Sequence, residues 1–473
     1  CIWYGTWFLA RRREAQPVEQ AFARQAQYRD FGRLMADAAT LFFISLFGIV
    51  VKQHEAVFET AELAFSCAAF FGCCWALTRP YWGSALAGFA CGASILCSNL
   101  LVGATVLVGC LMSHILVRGI GDTARKIFTT VTVAFITFGL WPLVAYLLAG
   151  VVAGDYFNLW AQRQIQIVGF LDPQEILWFV KHFIWYLCPA WPFAFWAIWM
   201  WRKNLTITHI ALPLSFCCAW LIGFILSSDV AAETLLSVTI APLCVLASFG
   251  LMACNRSTKS MLELFSVAIF TLALTGVWAY FIAWTLGFPP KMHWSILRLT
   301  ADESVSHAHW TAILLALVLL VFWLYLCVRR LMRRPIRFWT GPWLSASGIT
   351  VLWISAVCLF GPVIDSNRTY ANIAREMSQE LKTMHYVPGV DCVLAQTLPL
   401  SERGAIEWHS NISLTASESA SCRFVVTHVS AKTQAKNPTK MAPGFVVLKS
   451  FRPRSDTRYL LGPAGPVLIE KQL

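Results

Sequence analysis

The segment KQHEAVFETAELAF places Glu55, Glu59 and Glu62 at i, i+4 and i+7, so three carboxylates share one helix face at the start of an apolar run. Ionisable groups inside a membrane are costly and usually line a polar cavity, where a carboxylate can act as a general base. His54 and Glu55 would then sit at the cavity mouth, with Glu59 one turn deeper. The competing reading leaves Glu55 and Glu59 solvated at an interface and pairs Glu62 with a cation. Basic groups recur at comparable positions: Lys52 beside the carboxylates, Arg163 within GDYFNLWAQRQIQIV, and Lys181 with His182 within WFVKHFIWYLCPAW. A cation there could hold a phosphate by charge-assisted hydrogen bonding, or could simply snorkel to the interface. His307 and His309 in HAH could ligate a metal, but at i and i+2 they point apart on a helix, and no third ligand of suitable spacing follows. These residues require no cofactor and are compatible with a divalent metal. No phosphate-binding glycine loop, dinucleotide fingerprint or GxSxG elbow occurs, which leaves nucleotide-driven transport and serine hydrolysis without support.

The elements that must position these groups are transmembrane. With 58% hydrophobic residues, 13% charged residues and a mean hydropathy of +0.60, a water-soluble globule of this length is excluded. Apolar stretches near 34–51, 57–77, 83–100, 101–117, 127–150, 177–200, 210–226, 234–254, 261–287, 312–328 and 342–364 predict about eleven complete spans. In the pair from 83 to 117 only Ser98 and Asn99 interrupt the apolar run, so the chain should reverse there. The opening CIWYGTWFLARRR is read as half a further span, truncated at its N-terminal side. The loops at 11–33, 118–126, 202–209, 255–260 and 329–337 carry the Arg and Lys residues, and the positive-inside rule places them in the cytoplasm. The net charge of +12 is thereby assigned largely to topology and anionic lipid head groups, with no nucleic-acid partner. The loops near 52–56, 151–175, 227–233 and 288–311, and everything after Asp365, fall on the opposite side.

After Asp365 the apolar runs shorten, which divides the chain into a membrane domain, 1–365, and a small outer domain, 366–473. In the latter, Ile373, Met377 and Leu381 have helical spacing, and DCVLAQ, CRFVVTHV and GFVVLKSF read as strands, predicting an α/β domain. Its two cysteines, Cys392 and Cys422, sit at or near strand starts in an oxidising compartment and are expected to pair. Most of the other cysteines lie within apolar spans, where a thiol is a small hydrophobe.

The ordered pattern resembles the GT-C superfamily of polyprenyl-phosphate-dependent glycosyltransferases, in particular bacterial relatives of the lipid A aminoarabinose transferase and the protein O-mannosyltransferases. It is carried by RLMADAATLFF before a short HE-containing loop, the small-residue run GSALAGFACGASILCSNLL, the aromatic and Pro-rich WYLCPAWPFAFWAIW, SSDVAAETLLSVTIAPLCVLASFGL, and the DSNRTYANIAREM segment that opens the outer domain. The resemblance implies a multi-pass inner-membrane enzyme. Such an enzyme takes a sugar from a lipid-phosphate carrier and passes it to a lipid or protein acceptor at the periplasmic face. It also implies that the principal acidic residue belongs to a first external loop preceding residue 1. Glu55 matches an acidic group of the second external loop, and Lys181 a cation near the aromatic and Pro-rich span. Asn99 stands where many relatives carry Lys or Arg. Two other readings share these features: a catalytically degenerate relative, and a polytopic transporter or lipid flippase. The latter is disfavoured because no paired Gly/Pro-broken helices occur in corresponding halves.

Overall fold

The computed structural model describes residues 1–17, 27–53, 58–117, 123–169, 173–227, 234–297, 308–333, 338–395, 397–415, 422–430, 449–454 and 457–463. The described helices are, in order, α1 (Ile2–Ala10), α2 (Tyr28–Ser45), α3 (Phe47–Lys52), α4 (Phe58–Trp75), α5 (Pro80–Cys97), α6 (Leu100–Leu116), α7 (Thr123–Ala149), α8 (Val151–Ile167), α9 (Pro173–Tyr186), α10 (Ala190–Met200), α11 (Thr208–Ile225), α12 (Leu236–Ala253), α13 (Arg256–Leu286), α14 (Pro290–Leu297), α15 (Trp310–Arg333), α16 (Thr340–Arg368), α17 (Ala371–Thr383) and α18 (Leu400–His409). Each predicted span coincides with a helix or with a broken pair of helices. Among the described residues, six helices are long and apolar enough to cross a membrane. Two predicted spans are corrected. The stretch 34–51 is divided at Leu46 between α2 and α3. The stretch 177–200 is two helices, α9 and α10, bent by 93°. Pro189 lies at that break; proline has no N–H to donate and disfavours helical geometry at the residue before it.

The chain forms two compact units, Cys1–Leu272 with Phe322–Trp353, and Ala273–Val321 with Ile354–Leu473. In the first unit the main helix pairs are α4 with α5, α5 with α7, α10 with α12 and α6 with α11. Small residues permit these contacts, because in lipid close backbone approach replaces the hydrophobic drive between helices. The run in α5 buries Gly83, Ser84, Ala87, Gly88, Ala90 and Cys91. A Cβ placed on Gly83 would lie 2.2 Å from the backbone nitrogen of Ala76 on the loop after α4. Helix α12 is buried at every position from Leu236 to Leu251, so it forms the centre of the unit. Helix α7 is the opposite case, with Leu147 73% and Leu148 83% exposed. Apolar side chains outside and polar ones within suit a bilayer and not water.

In the second unit, Phe281, Trp284, Ile296, Leu359 and Val363 form one apolar cluster. Helix α16 continues past Asp365 to Arg368. A second cluster lies between α17, α18 and a five-stranded sheet, β1 (Val393–Leu394), β2 (Leu414–Thr415), β3 (Phe424–Ser430), β4 (Lys449–Arg454) and β5 (Thr457–Pro463), in the order β2-β1-β3-β5-β4. β1 is parallel to β2 and β3, whereas β5 is antiparallel to β3 and β4. Ile373, Met377 and Leu381 are the buried stripe of α17, as their spacing requires. The strands β2 and β5 and the helix α18 were not among the expected elements. β2 has two residues, too few for a period to show, and Gly404 weakens the helical signal of LSERGAIEWH. Glu402 of α18 accepts hydrogen bonds from Tyr370 and Tyr459, which ties the helix to β5. Burial, with the Glu402 carboxylate beside it, holds the Tyr459 hydroxyl well above its ordinary pKa.

Cys392 and Cys422 are disulfide-bonded, with Cα atoms 4.8 Å apart, next to the paired strands β1 and β3. The bond closes a loop of 30 residues, for which the chain-entropy model gives about 3–4 kcal/mol. Replacing both cysteines by Ser is therefore expected to make the C-terminal domain susceptible to protease at lower temperature while α1 to α16 remain resistant. Unchanged proteolysis, or two free thiols by mass mapping of the non-reduced chain, would count against the bond.

Candidate functional site

Five helix ends of the first unit bring polar groups to one place: the starts of α4, α6 and α12 and the ends of α5 and α8. All lie at the ends remote from the basic loops. Asn99 starts α6, its side-chain oxygen accepting from the Val102 N–H at 2.8 Å as an N-cap. The next orphan donor of that turn, the Leu100 N–H, is accepted by Oε1 of Gln164 from α8 at 2.8 Å. The Asn99 amide donates to Ser98 Oγ at 3.0 Å.

Ser98 and Glu59 adjoin the carboxyl group of Glu62, which is fully buried on α4. Glu62 Oε1 accepts a hydrogen bond from Ser237, at the second position of α12, whose hydroxyl oxygen also lies 2.8 Å from the Thr234 carbonyl oxygen. Glu62 Oε2 and Glu59 Oε2 are buried and accept no hydrogen bond. Ser66 and Ser94, on α4 and α5, have buried hydroxyls in the same condition. Buried polar atoms are paired in the great majority of cases, so two orphaned carboxylate oxygens one turn apart mark a place for an incoming donor. The partner of Glu62 is a hydroxyl, which corrects the reading that paired it with a cation.

A cavity of about 380 Å³ lies between α5, α7 and α8. Its walls include Ile95, Leu96, Phe138, Trp141, Tyr156 and Trp160. Leu96 immediately precedes the end of α5 that carries Ser98, and Trp160 lies one turn before Gln164 on the same face of α8.

Of the site residues expected from sequence, Glu59 is brought into the nest. His54, Glu55 and the Lys52 side chain lie outside the described residues, although Lys52 ends α3. Arg163, Lys181 and His182 are exposed on α8 and α9. His307 is also outside the described residues, and among those described no group of three His, Cys, Asp or Glu could hold a metal ion. Sequence reasoning placed Glu62 on the carboxylate face but not at its centre, and it did not find Ser237. Glu62 had a signal, an acidic residue at the fifth position of an apolar helix; Ser237 had none.

No protein-family model and no curated protein matches the sequence. Known structures do match. Over 97% of this chain and 82% of the other, it superposes with a TM-score of 0.60 and 14% identity on ArnT from Cupriavidus metallidurans bound to undecaprenyl phosphate. The fold is ArnT-like. The apo form of the same protein gives 0.59, with 97% of this chain and 81% of that one covered. The fold implied by the ordered sequence segments is thus met by the tertiary structure, and the likeness is one of fold.

Proposed function

We propose that this chain is a membrane glycosyltransferase of the inner membrane that moves a sugar from a polyprenyl-phosphate donor to a lipid or protein acceptor at the periplasmic face. The observation that carries this reading is the pair of carboxylates Glu59 and Glu62, each with one buried oxygen that accepts no hydrogen bond, in an ArnT-like fold that also holds an apolar cavity. The isoprenoid chain of the donor occupies the cavity, and the sugar lies toward the nest, where Ser98 and Asn99 line its approach. An acceptor oxygen attacks the anomeric carbon, the bond from that carbon to the phosphate oxygen breaks, and the polyprenyl phosphate leaves with the electron pair. The acceptor proton passes to a base, a role assigned to Glu59 or Glu62 in the nest and, from the sequence, to His54 and Glu55. Lys52, Arg163, Lys181 and His182 are the cations assigned to the leaving phosphate. Residues 366–473 form a separate periplasmic domain.

One observation favours a second reading, a catalytically degenerate relative. Asn99, at the position where many relatives carry a cation, is committed to capping α6 and to bonding Ser98. The test uses the full chain in membrane vesicles with undecaprenyl-phosphate-linked pentoses and hexoses carrying labelled sugars. Transfer of label to an endogenous lipid or protein, with release of undecaprenyl phosphate, is the expected result. Binding of undecaprenyl phosphate without transfer from any donor would favour the degenerate relative, and neither binding nor transfer would overturn both readings.

A further inference from the structure

The C-terminal α/β domain contains a second concave site. A cavity of about 300 Å³ lies between α17 and the end of α18, with Ser378, Lys382, Tyr386, Trp408, His409 and Asn411 among its lining residues. The walls are positioned independently of any ligand. Ser378 and Lys382 are one turn apart on α17, on the flank of the face that carries Met377 and Leu381 into the core. The Tyr386 hydroxyl accepts the Ser413 N–H at 2.9 Å and holds together the two segments that flank the cavity. Ile406 is fully buried and anchors α18, which leaves Trp408 pointing away from the core at 86% exposure.

An indole this bare, at the lip of a polar depression, contributes nothing to the packing of its own domain. Its flat apolar face suits the C–H face of a pyranose ring, while hydroxyl, amide and imidazole groups at the edge suit the ring hydroxyls. Among the described lining residues, Lys382 and His409 are the only ionisable cationic groups, and no Asp or Glu is present. That charge pattern selects a saccharide that carries a phosphate or carboxylate.

We propose that this cavity is a binding site for an anionic saccharide, with Trp408 as the stacking platform and Lys382 as the contact to the acidic substituent. Binding here requires nothing of the Glu62 nest, so it survives Glu62→Gln, and failure of this site is distinguishable from failure of the transfer reading.

The test is saturation-transfer NMR on the full chain in detergent, with N-acetylglucosamine 1-phosphate, N-acetylglucosamine and inorganic phosphate as probes. Ring protons of the sugar phosphate are expected to receive saturation in the parent chain and to lose it in Trp408→Ala. Lys382→Ala is expected to weaken the sugar phosphate about tenfold and to leave the neutral sugar unchanged. Because Trp408 is exposed, its replacement should preserve the Cys392–Cys422 bond and the proteolysis pattern, which serve as folding controls. No transfer to any probe would overturn the proposal, as would transfer that persists in Trp408→Ala, or displacement of the sugar phosphate by inorganic phosphate at equal concentration. Hydrogen-exchange protection of residues 405–412 by nanodisc lipid, with none added by the saccharide, would assign Trp408 to the lipid headgroups and overturn it equally.

Discussion

Glu62→Gln is expected to reduce sugar transfer from a polyprenyl-phosphate donor by about a hundredfold or more, the range associated with loss of a positioned proton acceptor. The amide keeps the shape of the carboxyl group, and its oxygen can still accept from Ser237, so membrane insertion and protease resistance should not change. Glu59→Gln separates the two carboxylates: if Glu62 is the base, the Glu59 variant retains more activity. Ser237→Ala removes the one hydrogen bond that orients Glu62 Oε1 and should lower kcat by about tenfold with little change in KM, as expected of a positioning residue. Initial rates on the labelled donor decide the matter. Transfer within about threefold of the parent chain in both Glu variants would remove the nest from the chemistry and return attention to His54 and Glu55.

Gly250→Val should abolish accumulation of folded protein. A Cβ at Gly250 would lie 1.8 Å from the carbonyl oxygen of Phe193 on α10, far inside contact distance, and the opposing atom belongs to backbone that cannot rotate away. Overpacking a core ordinarily costs about 1–3 kcal/mol, and forcing two packed helices apart costs more. The pair α10 and α12 lies at the centre of the first unit, so the displacement would also disturb Ser237 at the start of α12. Gly276→Ala is the matched control, because nothing lies within 4 Å of its added Cβ. Gel filtration of the detergent-solubilised chain measures the difference. A monodisperse Gly250→Val protein with parent-like thermal stability would show that the α10–α12 contact is looser than its geometry.

Much of the fold was legible in local chemistry. The apolar runs coincide with helices or broken helix pairs to within a few residues, six of the described helices being long and apolar enough to cross a membrane, and Ser98–Asn99 marked the reversal between α5 and α6. The small-residue run quoted for the resemblance is the one that lets α5 pack closely on its neighbours. The face shared by Glu59 and Glu62 is likewise a property of one helix, and it led to the candidate site. The break at Leu46 and the 93° bend were harder to see, because a hydropathy window sums over both arms of a broken helix. The short strand β2 exists because β1 offers it a partner, and its two residues have no period of their own.

Sequence alone determined that this is a membrane chain, which loops are basic, and which carboxylates share a helix face, because hydropathy, charge and the 3.6-residue period act over one element at a time. Only the tertiary structure decided that Glu62 is bonded to Ser237, 175 residues away, and that Gln164 reaches Leu100 across 64. Those pairings depend on how far each helix is rotated and shifted against its neighbours. That rotation is set by close contacts such as Gly250 on Phe193, which no single segment encodes.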